Sequence, residues 1–135
     1  MSVVQQVKQA AVTSVTYPGT PASVPEVRRL VRAFFAVSPR INDLELISAE
    51  LATNAIRHTP SGAPNGTFTV TIQREPGRAR LEVRDLGTGA WSSDLNDGDE
   101  MADHGRGLGV VAALADEAGR DEVGHGQVVW AVVTW

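Results

Sequence analysis

Hydrophobic and polar positions alternate with two different periods along the chain, and the change of period marks its elements. Val12, Thr13, Val15, Thr16 and Tyr17 are β-branched or aromatic and are followed by Pro18-Gly19, so a short strand is expected over 12–17. Val27, Leu30, Val31, Phe34 and Phe35 then recur at helical spacing. That helix is expected to start at Ser23 as a side-chain N-cap, with Glu26 in the capping-box position and Pro25 in the first turn. A second helix is expected from Pro39 to His58, capped by Ser38 and ended by Thr59-Pro60. Residues 61–66 read as a loop of Ser, Gly, Pro and Asn. Phe68, Val70 and Ile72 alternate with polar residues over Thr67–Arg74. Glu75-Pro76-Gly77 turns the chain, and Ala79, Leu81 and Val83 mark a returning strand, Arg78–Asp85.

Residues 87–105 carry no period and are rich in Gly, Ser, Asp and Asn. Loops of that length inside compact domains are usually functional or mobile. A third helix is expected from near Gly107 to about Ala118, with Val110, Val111, Leu114 and Ala115 apolar. Asp121–Val123 and Gln127–Trp135, joined by Gly124-His125-Gly126, complete a last hairpin. The final strand is apolar on both faces and is expected near the centre of the sheet. Strands joined as hairpins, with helices in a group, predict an α+β two-layer sandwich. Its sheet is mixed or antiparallel, mostly antiparallel, with the helices on one face.

Composition narrows the picture. A chain of 135 residues, 42% hydrophobic, suits one domain, 1–135. The net charge is -4 and no stretch is strongly basic, so direct binding of nucleic acid has no support. The absence of cysteine removes disulfides, thiolate metal sites and a cysteine nucleophile. No signal peptide is read at the N-terminus, and no apolar run approaches the ~20 residues needed to cross a bilayer. The expectation is a cytoplasmic protein that does not contact the membrane.

Three polar features carry candidate chemistry. On the second helix, at ~100° per residue, Leu44, Ile47, Leu51 and Ala55 form the core stripe, and Asn54 and His58 fall close to Ile47. Glu50 and Asp43 lie beside them. Glu50, Asn54 and His58 are thus aligned at i, i+4 and i+8 along an edge expected to be buried. Polar groups there need partners. Either they satisfy one another or face water, or a ligand satisfies them. Asp85-Leu86-Gly87-Thr88-Gly89 stands at a strand end. It is either a flexible turn or a place where glycines let a ligand approach the main chain. Gly105-Arg106-Gly107-Leu108-Gly109 precedes an apolar helix. It is either a flexible loop or a phosphate site of exposed N–H groups at a helix start, with Arg106 adding a charge-assisted contact. It is neither a P-loop nor a dinucleotide fingerprint, for it has no lysine and no βαβ context.

Taken in order and spacing, the helix E-x-x-x-N-x-x-x-H, the strand-end D-x-G-x-G and the G-x-G-x-G before a helix resemble the N, G1 and G2 boxes of the GHKL ATPase superfamily. The string ELATNAIRHT, residues 50–59, closely resembles the N box of small stand-alone anti-sigma-factor serine kinases of the actinobacterial type. The resemblance covers nearly the whole chain and implies ATP and Mg²⁺ as ligands. It implies that Asn54 coordinates Mg²⁺, that Glu50 is the general base, and that His58 lies near the phosphates or simply packs at the helix end. It further implies that Asp85 accepts a hydrogen bond from the adenine amino group, with Gly87 and Gly89 beside the base. Gly105, Arg106, Gly107, Leu108 and Gly109 would surround the phosphates. Residues 91–104 correspond to the ATP lid.

The same resemblance implies a serine or threonine kinase acting on a small anti-anti-sigma (STAS-type) protein and also holding a sigma factor inactive. Such kinases are often homodimers. The alternative is a non-catalytic ATP-binding module that sequesters a sigma factor or another regulator. A detached histidine-kinase domain is disfavoured, because no phosphoacceptor helix pair and no phenylalanine-rich lid segment are found. Arg28, Arg29 and Arg32 on the first helix are read as a partner surface or an ordinary solvated face.

Overall fold

A computed structural model describes residues 10–86, 109–124 and 126–135. Its strands are β1 (Ala11–Pro18), β2 (Thr67–Glu75), β3 (Arg78–Asp85), β4 (Glu117–Val123) and β5 (Gly126–Thr134). They form one sheet in the order β1-β2-β3-β5-β4. Every pairing is antiparallel. Of the mixed and antiparallel sheets expected, the described strands therefore make the antiparallel one. The register aligns Val15 with Val70, Val70 with Val83, and Val83 with Val129. That row faces the helices. Pro76 and Gly77 join β2 to β3, with Gly77 at φ 72, the pairing a type II turn requires.

Two helices cover the inner face, α1 (Ser23–Phe34) and α2 (Ile41–His58). Val27 and Val31 of α1, Phe35 just beyond it, and Leu44, Ile47, Leu51 and Ala55 of α2 are fully buried against Phe68, Val70, Ile72, Leu81 and Val83. The amphipathic stripes read from the sequence are thus the core. No helix among the described residues is long and apolar enough to cross a membrane.

The helix caps depart from expectation. Ser23 does not cap α1; its hydroxyl donates to the Pro18 carbonyl at 2.6 Å and ties the helix to the end of β1. Glu26 pairs with Arg29 instead of reaching back to the cap. The second helix begins at Ile41, because Pro39 and Arg40 form a turn in which the Ser38 hydroxyl accepts the Arg40 N–H at 3.0 Å. Residues 60–62 form a 3-10 turn rather than an open loop.

The third helix, α3, ends earlier than expected. Residues 109–114 are helical, and β4 already begins at Glu117. Arg40 donates to the Leu114 carbonyl at 2.7 Å and to the Thr134 carbonyl at 2.9 Å, satisfying the helix end from outside. Asp116 then crosses to β5. Its N–H donates to the Val132 carbonyl, and its carboxylate accepts both the N–H and the hydroxyl of Thr134. Those two donors, with Arg40 nearby, hold the Asp116 carboxyl below the usual carboxylate range against a smaller opposing effect of burial. β5 lies inside the sheet but not at its centre. β3 is the central strand, and β4, nearly all of it exposed, is the edge beyond β5.

Just past β1 the backbone meets the 3-10 turn that follows α2 so closely that a side chain is excluded. A Cβ on Gly19 would lie 1.7 Å from the Ser61 carbonyl oxygen. Both atoms belong to main chain, so neither can swing aside. Gly19→Ala is expected to cost about 3 kcal/mol of stability through forced backbone movement, read as a lower denaturant midpoint at unchanged slope.

Candidate functional site

The Glu50–Asn54–His58 edge is where the helical wheel placed it. All three side chains are partly buried on the last turns of α2. The Nδ2 end of Asn54 is buried and has no hydrogen-bond partner. A buried amide end left unsatisfied costs ~1–3 kcal/mol, so this atom calls for a partner, a water or a ligand. Asp43 does not join this row; it pairs with Arg40 at 2.8 Å, in the first turn of the helix.

Asp85 closes β3 and is 4% exposed, at the end of the row that begins with Ala79, Leu81 and Val83. Its Oδ2 accepts a hydrogen bond from Nε2 of Gln127 at 3.2 Å. The next residue is held from the other side. The Leu86 N–H donates to the hydroxyl of Ser61 at 2.9 Å. Ser61 is itself fully buried, and its N–H donates to Thr59, whose hydroxyl donates back to the Ala55 carbonyl. A chain of hydrogen bonds thus fixes the strand end carrying Asp85 to the C-terminal end of the helix carrying Asn54. An open pocket of about 380 Å³ beside Asp85 is also lined by Phe68 and Gly126. Ser61 and Gln127 were not singled out in the sequence. Gln127 is signalled by its phase, for it shares the face of Val129, Ala131 and Val133.

Gly109 is the first described residue of α3, and a Cβ there would meet nothing within 4 Å. Gly87, Gly89, Gly105, Arg106, Gly107 and Leu108 lie outside the described residues, as does the expected lid at 91–104.

Arg28, Arg29 and Arg32 of α1 are exposed, as a solvated face would be, and two of them also reach α2. Arg28 and Arg32 both donate to the carboxylate of Glu45 on α2, Arg28 at 3.0 Å. Burial pushes the Glu45 carboxyl up, but the two guanidinium groups outweigh it and hold it below the usual range. A depressed carboxyl stabilises the fold above its unfolded pKa, and that contribution is lost as pH falls through the folded value. Glu45→Gln is expected to cost on the order of 1 kcal/mol at pH 7 and nothing in strong acid, where the Glu45 carboxyl is as neutral as the glutamine amide. Denaturation midpoints of the two proteins should therefore converge as pH drops below ~4.

The α+β sandwich thus carries a helix edge with a buried amide, fixed to a strand end with a buried carboxylate. A family model described as the histidine kinase-like ATPase domain matches residues 17–133, and this chain belongs to that family. No curated protein matches the sequence. Among solved structures, the RsbU and RsbW domains of Rv1364c from Mycobacterium tuberculosis match with TM-score 0.68 and 21% identity, over 92% of this chain and 32% of that one. This chain therefore spans about a third of the length of that solved chain. The SiaB–SiaC complex from Pseudomonas aeruginosa matches with TM-score 0.64 and 17% identity, over 98% and 96% of the two chains. At those identities the likeness is one of fold.

The family's fold implies ATP. Among the described residues no three His, Cys, Asp or Glu side chains gather to hold a metal ion. An Mg²⁺ ion does not need such a cage, because it keeps several waters and binds through few protein oxygens and the substrate's phosphates. Half a turn of the Asn54 amide exchanges nitrogen for oxygen at the buried end, so the residue fits the role of a single oxygen donor.

Proposed function

We propose that this chain binds ATP with Mg²⁺ and transfers the γ-phosphoryl group to a serine or threonine hydroxyl of a partner protein. The observation that carries the reading is the α2 edge, where Glu50 precedes the unpartnered Asn54 amide by one turn. Asp85, buried and held by Gln127, is proposed to read the adenine amino group. Asn54 would hold Mg²⁺, which when bound supplies positive charge to the phosphate oxygens. Gly105 to Gly109, with Arg106, are proposed to receive the phosphates.

Glu50 would accept the proton of the attacking hydroxyl. The hydroxyl oxygen forms a bond to the γ-phosphorus, the bond from that phosphorus to the bridging oxygen breaks, and ADP leaves. The partner is proposed to be of the anti-anti-sigma type, with a sigma factor as a second partner in the cytoplasm. Both neighbouring structures support a partner-dependent role, one as an RsbW domain and the other as a complex with SiaC.

The reading is tested by incubating the protein with γ-labelled ATP and co-purified partner proteins. Label on a partner serine or threonine is the expected result. A partner bound stoichiometrically with no label would favour the non-catalytic module, and acid-labile label on histidine would favour a histidine kinase.

A further inference from the structure

We infer that Gln127 is a positioning residue for base recognition, holding the Asp85 carboxylate in the orientation that reads the purine 6-amino group. The inference rests on the proposed placement of adenine at Asp85. Gln127 is 6% exposed and faces Asp85 directly across the β3–β5 ladder. Its Nε2 donates to Oδ2 of that carboxylate at 3.2 Å. The Asp85 carboxylate turns about a broad sp³–sp² torsion and can only accept, so when buried it takes the orientation its donors dictate.

The start of β5 is shaped around this contact. Gly126 packs against the Asp85 main chain so closely that a Cβ would lie 2.2 Å from its carbonyl oxygen. That approach brings the next side chain, Gln127, level with the carboxylate. From the opposite side, Ser61 fixes the Leu86 N–H. The turn after α2 thus holds the backbone just past the strand end, and Gln127 of β5 holds the Asp85 carboxylate. A glutamine amide is well suited here. It donates to the carboxylate without adding charge, whereas a second carboxylate would repel it and a lysine would neutralise it.

A residue that merely supports the fold would weaken every nucleotide equally when replaced. A residue that orients the reader of one functional group should change the value of that group alone. The test compares ATP with purine riboside triphosphate, which lacks the 6-amino group, by calorimetric titration against wild type, Asp85→Ala, Gln127→Met and Gln127→Leu. Wild type is expected to prefer ATP on the order of 100-fold, and both Gln127 variants to reduce that preference by roughly tenfold with little loss for the analogue. Met keeps the length of glutamine and Leu does not, so a folding defect in one leaves the other to decide. An unchanged preference in a folded Gln127 variant overturns the inference alone, provided wild type binds ATP and Asp85→Ala does not. Absence of ATP binding by folded wild type overturns the placement of adenine and the inference with it.

Discussion

Glu50→Ala is expected to lower the rate of ADP formation by roughly 10³-fold while leaving ATP affinity within about threefold of wild type. The separation follows from position. Glu50 stands one helical turn before Asn54 on the same edge of α2, and its side chain takes no part in the hydrogen-bond chain that fixes the strand end to the helix. Removing it leaves the core residues Ile47, Leu51 and Ala55 untouched. A general base matters only as charge develops on the attacking oxygen, so its loss should appear in the rate and not in ground-state binding. Single-turnover ADP formation, measured beside the dissociation constant in the same samples, checks this. Equal losses in both quantities would place Glu50 in nucleotide binding instead.

Asp85→Ala should act in the opposite way, weakening Mg²⁺-ATP by about 100-fold or more. The carboxylate is buried, so whatever hydrogen bond it makes to a base is formed away from competing water and is charge-assisted. Its removal also strands the Gln127 amide, which loses its carboxylate partner. A stability loss of ~1–3 kcal/mol should accompany the binding defect. Competition with a fluorescent ATP analogue, run beside thermal unfolding, separates the two effects. A variant that is destabilised yet binds ATP normally would remove Asp85 from base recognition.

Much of the fold was legible because its two periods are clean. Phe68, Val70 and Ile72 alternate on β2, and Leu44, Ile47, Leu51 and Ala55 lie on one stripe of α2; both became core without adjustment. The candidate site was legible for the same reason, since Asn54 and His58 are polar residues in phase with Ile47. What was not legible depends on contacts distant in sequence. The end of α3 is decided by Arg40, 74 positions away from the Leu114 carbonyl it satisfies, so apolar spacing through Ala115 overran the true boundary. Gly119 lies between the expected helix end and the expected strand at 121–123, yet it sits on β4 under the Trp130 ring; a Cβ there would lie 2.6 Å from Cζ2 of that ring. Ser23 and Ser38 carry the chemistry of caps, but Ser23 found a carbonyl of β1 that the local sequence does not announce. Arg28 and Arg32 look like a solvated face until Glu45, 13 to 17 residues on, is packed beneath them.

The measurement that bears most directly on the account is a calorimetric titration of the wild-type protein with Mg²⁺-ATP and, separately, Mg²⁺-GTP. One ATP site per chain with micromolar affinity or better is expected, and GTP at least ~10-fold weaker because its 6-oxo group is an acceptor facing the Asp85 carboxylate. Folded protein that binds neither nucleotide, or binds both alike, would contradict it.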